Sequence, residues 1–141
     1  MGKVKISLSD AIALAVKHHG NQLDKSGELY ILHPLRVMLK FNEYNLQIVA
    51  ILHDILEDTD ITAEYLSELG VTDECLQAII ALTRKDNSLY IEYIINLREN
   101  ALAKQVKIED LKDNLLETRI AGIPNKLINR YNMALTILSE N

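Results

Sequence analysis

Apolar residues recur along this chain at intervals of three and four, the spacing of one helix face, and the strict alternation that marks a half-buried strand is missing. The first such run opens at Ser7-Leu8-Ser9-Asp10, which reads as a capping box, and carries Leu8, Ile12, Ala15, Val16 and His19 on one side. Residues 21–32, punctuated by Ser26-Gly27, read as a loop. Pro34 suits the first position of the next helix, which runs through Val37, Met38 and Phe41. Asn45 is placed to cap a helix carrying His53-Asp54; Thr62 starts the following one and Gly70 ends it. Val71-Thr72 opens a helix reaching about Thr83, residues 84–88 form a polar connection, and 89–99 and 101–117 read as two more helices. Gly122-Ile123-Pro124 interrupts the chain before a last amphipathic helix bearing Leu127, Tyr131, Leu135 and Leu138. The pattern predicts an all-α bundle of about seven or eight helices, folded as one domain over residues 1–141.

One stretch, AILHDILEDTD, breaks the usual separation of apolar and charged faces. On a helix of about 100° per residue, His53, Glu57, Asp54 and Asp58 fall in that order across an arc of roughly 140°. Ile48, Val49, Ile51, Leu52, Ile55 and Leu56 take the opposite side, and Ala50 sits inside the polar arc. Three carboxylates on a mostly apolar helix repel one another and resist burial unless a cation or a proton compensates them. A metal ion is the simplest compensation.

Composition narrows the function. At 141 residues, 48% hydrophobic and 25% charged, the chain has the make-up of an ordinary soluble globular protein. A net charge of −5 and a pI near 5.3 argue against a nucleic-acid-binding surface. A small anionic substrate stays open, because a bound cation would reverse the local field. Cys75 is the single cysteine and reads as a buried structural thiol, so no disulfide framework exists and a reducing compartment is expected. Neither a signal peptide, nor a myristoylation pattern, nor a membrane-length apolar run is seen; the expectation is a cytoplasmic protein without a membrane partner.

Three sites elsewhere can complete the His53-Asp54 strip. His33 stands just before Pro34 at a helix start. Asp110 lies in VKIEDLKDN with Lys107 one turn before and Asn114 one turn after, all on one face. His19 ends the first helix on its apolar side, where a satisfied core histidine is the plainer reading. Two histidines and two aspartates from three helices can enclose one divalent ion, and mixed imidazole and carboxylate ligands suit Mn²⁺, Fe²⁺, Co²⁺ or Zn²⁺ with positions left for water. The neighbours have plainer readings. Lys107 can reach the pocket but is as readily a solvated lysine, Arg84-Lys85 can contact phosphate but more plainly keep their loop soluble, and Tyr90 and Tyr93 read as packing residues. Arg119, Arg130 and Tyr131 are candidate substrate neighbours, though nothing in the spacing compels it.

Tyr30-Ile31-Leu32-His33-Pro34, then His53-Asp54 with Glu57-Asp58, then Val106-Lys107 with Asp110 and Asn114, resemble the HD superfamily of metal-dependent phosphohydrolases. Within it the chain looks like the hydrolase domain of the RelA/SpoT-type alarmone enzymes and their small stand-alone relatives. His19-Gly20-Asn21-Gln22, Lys25-Ser26-Gly27, Thr59 and Leu82-Thr83 match as well, so the likeness spans roughly residues 8–120. The resemblance implies metal ligands at His33, His53, Asp54 and Asp110, with Mn²⁺ the usual ion. It implies a catalytic acidic pair at Glu57 and Asp58, and substrate contacts at Lys25, Tyr30 and Asn114. It also implies removal of pyrophosphate from the 3′ position of guanosine tetra- or pentaphosphate, the stringent-response alarmone. The length left over has no room for a synthetase domain.

The chain departs from that family's pattern at several places. Asp24 stands where an arginine is usual, Leu29 where a proline is usual, Glu109 where a small residue is usual, and Asp113 where an aromatic or imidazole residue commonly precedes the asparagine. The aspartates and the glutamate predict a more acidic substrate-facing rim, which leaves the exact substrate open. The alternatives are a phosphomonoesterase acting on another nucleotide, and a metal-stabilised nucleotide-binding regulatory module with little turnover. Exposed faces of the last helix could pair two copies of the chain.

Overall fold

The computed structural model describes residues 4–116 and 122–140. Helices begin where a short polar side chain can take up the N–H groups that a first turn leaves free. Ser7 accepts from the Asp10 amide at 3.0 Å ahead of α1 (Leu8–His19). Thr62 accepts from Tyr65 at 3.1 Å ahead of α5 (Ala63–Glu68), and Thr72 from Cys75 at 3.4 Å ahead of α6 (Asp73–Leu82). Asn100 accepts from Ala103 at 3.0 Å ahead of α8 (Ala101–Asn114). The remaining elements are α2 (Leu32–Met38), α3 (Tyr44–Leu52), the single turn α4 (Ile55–Asp58), α7 (Tyr90–Leu97) and α9 (Asn125–Ser139). Among the described residues no strand forms; one isolated bridge, Leu23 with Leu29, pins the loop between α1 and α2.

Two expected helix starts move. Pro34 is the third residue of α2, whose cap is Ile31; a first-turn position has no intrahelical bond to lose, so proline is tolerated there too. Asn45 does not cap α3, because the helix begins a residue earlier behind Glu43. Its side chain turns to α6, donating to Glu74 at 3.2 Å and accepting from the Cys75 thiol at 3.4 Å. Cys75 is fully buried, as a structural thiol should be.

α3 is the hub. Leu46 and all of residues 48–52 are buried, and the helix packs on α1, α2, α6 and α8. A helix apolar on every side is enclosed on every side, so whatever its C-terminal end carries is delivered to the interior. α8 crosses the same core and touches α2, α3, α6, α7 and α9. None of the described helices is long and apolar enough to cross a membrane.

Gly70 ties the N-terminal segment to this bundle. Its carbonyl accepts from the Ile6 amide at 2.9 Å, and its φ of +100° is glycine's territory. A Cβ there would stand 2.1 Å from the Val4 carbonyl oxygen. Gly70→Ala is therefore expected to lower stability by about 1–3 kcal/mol, read as a lower urea midpoint; an unchanged midpoint would show that the segment is not held through this contact.

Candidate functional site

The continuous helix expected through His53-Asp54 is broken. α3 ends at Leu52, His53 and Asp54 form a turn with Asp54 at φ −103°, ψ 0°, and α4 resumes at Ile55. Neighbouring side chains on an unbroken helix diverge by about 100°. The turn instead brings His53 Nε2 within 3.1 Å of Asp54 Oδ2.

The partners of the two histidines show how each ring is held. His53 Nδ1 lies 2.6 Å from the Ala50 carbonyl oxygen, which can only accept, so Nδ1 carries a hydrogen. Nε2 is buried and without a hydrogen-bond partner, facing Asp54 at 3.1 Å and Asp110 Oδ1 at 3.3 Å. His33 sits between two carboxylates, with Nδ1 2.6 Å from Asp113 Oδ2 and Nε2 2.7 Å from Asp110 Oδ1. His33, His53 and Asp54 offer ligand atoms within 4.8 Å of one another. Carboxylates crowded together at a buried point repel one another unless a cation or a proton compensates them. The donor set of imidazole nitrogens and carboxylate oxygens fits a divalent ion.

The same crowding shifts the acids. Desolvation, and then the charge of Asp110, push the Asp54 carboxyl well above the usual carboxylate range, and Tyr30 donates its hydroxyl to it. Asp110 goes the other way. Burial opposes its charge, but Lys107, with Nζ 2.9 Å away, and the two histidines outweigh that and hold it ionised. Lys107 is correspondingly held protonated against its own burial. It is a member of the site, not a solvated lysine.

A cavity of about 540 Å³ opens in front of this cluster. Lys25, Tyr30, His33, Asp54, Asp110 and Asn114 line it, as do Glu57 and Asp58 one turn beyond Asp54, while His53 stands behind the wall. Desolvation, followed for Glu57 by its neighbour Asp58, raises both of these acids above their ordinary values. His19 is buried behind Tyr30, ring centroids 5.0 Å apart, with Nδ1 3.4 Å from Gln22 and Nε2 unpartnered, so it is not a fully satisfied core histidine.

The far wall gathers residues whose spacing compels no shared role. Arg84, Tyr90, Tyr93, Arg130 and Tyr131 all line the cavity. Arg84, for which solubilising its loop is the plainer expectation, donates Nη2 to the Ser88 carbonyl at 2.9 Å and keeps a buried, unpartnered Nε. Its guanidinium lies 5.3 Å from the Tyr90 ring, and that of Arg130 lies 3.8 Å from the same ring. Tyr93 packs as expected, donating to the Leu82 carbonyl at 2.7 Å, and burial pushes its phenol up to about 12. Arg119 lies outside the described residues.

Of the three acids predicted at the rim, only Asp24 reaches the cavity. Asp113 is buried and turned away from the cavity, held by His33 and by Arg36 Nε at 2.7 Å. Glu109 pairs with Lys112 at 3.5 Å and borders a separate cavity. Asp24 does line the main cavity, yet its Oδ1 accepts from the Ser26 amide, the Ser26 hydroxyl and the Glu28 amide at 2.7–3.0 Å. Its carboxylate organises the loop.

No protein-family profile matches the chain. It is 48% identical over 62 residues to the guanosine-3′,5′-bis(diphosphate) 3′-pyrophosphohydrolase of Aquifex aeolicus, a match covering 41% of this chain and 9% of that protein. It is 26% identical over 141 residues to the Mycoplasma pneumoniae protein named as a probable enzyme of the same kind, covering 86% of this chain and 19% of that one. The chain thus spans less than a fifth of the length of these relatives. A solved metazoan orthologue of SpoT, described as hydrolysing ppGpp, superposes with a TM-score of 0.75 at 21% identity, covering 98% of this chain and 86% of that one. Two histidines and two aspartates gathered at one buried point of a helical bundle are what the HD resemblance implies. The relatives, and a fold shared with the solved SpoT orthologue, support a RelA/SpoT-type hydrolase domain of that superfamily.

Proposed function

We propose that the chain is a divalent-metal-dependent phosphohydrolase that removes pyrophosphate from the 3′ position of guanosine-3′,5′-bis(diphosphate). The observation that carries this reading is the unpartnered Nε2 of His53 facing Asp54 and Asp110, beside His33 and behind a cavity whose wall holds two further acids. The relatives named for that reaction supply the substrate class. With Asp113 and Glu109 turned from the cavity and Asp24 tied into its loop, the rim opposes a polyphosphate ligand less than the sequence suggests.

His33, His53, Asp54 and Asp110 would hold the ion, and Mn²⁺ is the first to test. The chemistry a bound divalent ion supplies there is Lewis acidity, which acidifies a water and polarises a phosphoryl oxygen. Glu57 and Asp58 orient that water and take its proton, and their raised proton affinity suits a base working near neutral pH. Lys25, Arg84 and Arg130 set positive charge around the substrate phosphates, and the rings of Tyr90 and Tyr131 give its base a surface. Water adds to the phosphorus attached to the 3′ oxygen, that P–O bond breaks, and the nucleoside 5′-diphosphate leaves, its 3′ oxygen receiving the proton that the acidic pair took from the water. The lone buried thiol of Cys75 accords with a cytoplasmic setting, and we read residues 1–141 as one such domain.

The test is Mn²⁺-dependent turnover of guanosine-3′,5′-bis(diphosphate) against a panel of nucleotides, with pyrophosphate and orthophosphate scored separately. Ion-dependent pyrophosphate is the expected product. Orthophosphate from a different nucleotide would favour the phosphomonoesterase. Nucleotide binding without turnover, with Mn²⁺ bound, would favour the regulatory module.

A further inference from the structure

We propose that Asp113, gripped by Arg36, is a positioning residue that fixes the tautomer of His33 and so presents the His33 Nε2 lone pair to the divalent ion. The inference rests on the metal-dependent reading above. It concerns a residue outside the cavity, at a position where the resembled family carries an aromatic or imidazole side chain.

α2 and α8 meet through two pairs of residues spaced one turn apart. His33 and Arg36 project from one helix, Asp110 and Asp113 from the other. His33 Nε2 lies 2.7 Å from Asp110, and His33 Nδ1 lies 2.6 Å from Asp113. Arg36 reaches the same Asp113 with both arms of its fork, Nε to Oδ1 at 2.7 Å and Nη2 to Oδ2 at 3.1 Å. An ionised carboxylate only accepts, so these contacts on Asp113 are donated to it. His33 Nδ1 therefore carries a hydrogen. By the same rule Asp110 draws a hydrogen to Nε2 in the ion-free ring, and a divalent ion would take the place of that hydrogen, with Nε2 as the coordinating atom. Without the Asp113 carboxylate, a neutral ring is free to keep its one hydrogen on Nε2, against Asp110.

Gluing two helices together does not account for this arrangement. The Asp113 side chain is only 7% exposed, and burying a charge costs more than the apolar contact that could replace it. What an apolar residue cannot do is hold one ring nitrogen protonated. A carboxylate behind a ligating histidine does that, and it fixes the ring's direction as well. Arg36, bidentate and half-buried, locks the carboxylate in the one orientation that meets Nδ1.

Asp113→Asn tests the idea with little change of shape. An amide has one accepting and one donating end, and the Arg36 fork claims the acceptor. The amide N–H₂ then meets His33 Nδ1 and favours the hydrogen on Nε2, where it blocks coordination. In the full chain without metal, the ring ¹⁵N signals of His33 should show a hydrogen on Nδ1 in the wild type and a hydrogen on Nε2 alone in Asp113→Asn. Mn²⁺ affinity by calorimetry should fall about 10–100-fold in the variant. A wild-type ring without a hydrogen on Nδ1, or a variant binding Mn²⁺ as tightly as the wild type, overturns the proposal. Should Asp113→Asn not fold, Arg36→Leu frees the carboxylate to turn; weaker Mn²⁺ binding with both tautomers populated supports the role, and no change in either overturns it. A wild type that takes no Mn²⁺ overturns the metal-dependent reading itself. That outcome is told apart from failure of the positioning role by the His33 ring signals, which report the hydrogen without any ion.

Discussion

Asp54→Ala is expected to abolish Mn²⁺ binding, and ion-dependent pyrophosphate release with it, while leaving the helical fold in place. Asp54 supplies one of the two carboxylates facing the unpartnered His53 Nε2, and a small site that loses an anionic ligand has nothing to replace it. Calorimetric titration with Mn²⁺ reads the loss directly; retained binding would remove Asp54 from the ligand set.

The same residue makes an opposite prediction for stability. Desolvation, then Asp110 and Asp58, raise the Asp54 carboxyl above its unfolded value, so ionising it costs folding free energy in the ion-free chain. That cost is full above the folded pKa and vanishes below the unfolded one, where the group is protonated in both states. Ion-free Asp54→Asn, which keeps an oxygen to accept from Tyr30, should therefore melt higher than the wild type at neutral pH. The gap should close as pH falls through the folded pKa. Asp113, held low by His33 and Arg36, loses stability in acid in both proteins and cancels from the comparison. Melting curves in chelator across pH decide it, and a variant no more stable than the wild type at neutral pH would show that Asp54 is not strained without its ion.

Glu57→Gln should separate chemistry from metal binding. Glu57 lines the cavity one turn beyond Asp54 and lies outside the His33, His53 and Asp54 cluster, so Mn²⁺ affinity should hold. Turnover should fall by about 10²–10⁴-fold, the usual cost of losing a general base. Desolvation and Asp58 raise the Glu57 carboxyl, so in the wild type the rate should begin to fall, as acid is added, at a pH above the ordinary glutamate range. A base must be unprotonated to work, and in Glu57→Gln that acid limb should shift to whatever Asp58 alone imposes. Lost Mn²⁺ affinity would make Glu57 a ligand, and full turnover would pass its task to Asp58.

The four proposed ligands and the acidic pair were legible because each belongs to a short run with its own chemistry. The break at His53-Asp54 was not, since periodicity treats AILHDILEDTD as one helix. The turn places Asp54 against the hydroxyl of Tyr30, a distant residue that no local pattern pairs with it. Asp113 was misread for a related reason. Asp110 and Asp113 stand one turn apart on α8, and no local pattern says that one faces the cavity while the other faces Arg36.

Helix character, most of the caps and the identity of the acids and histidines are properties of the chain itself. They rest on hydrogen bonds and side-chain spacings that reach no further than one turn. Tertiary structure alone decided what those residues meet. It brought α2 against α8, so that Asp113 stands behind His33, and it carried Arg84, Tyr90 and Arg130 from three separate segments to one wall. Such meetings depend on how an all-apolar α3 is enclosed by its neighbours, an energy summed over the whole core and written in no single stretch.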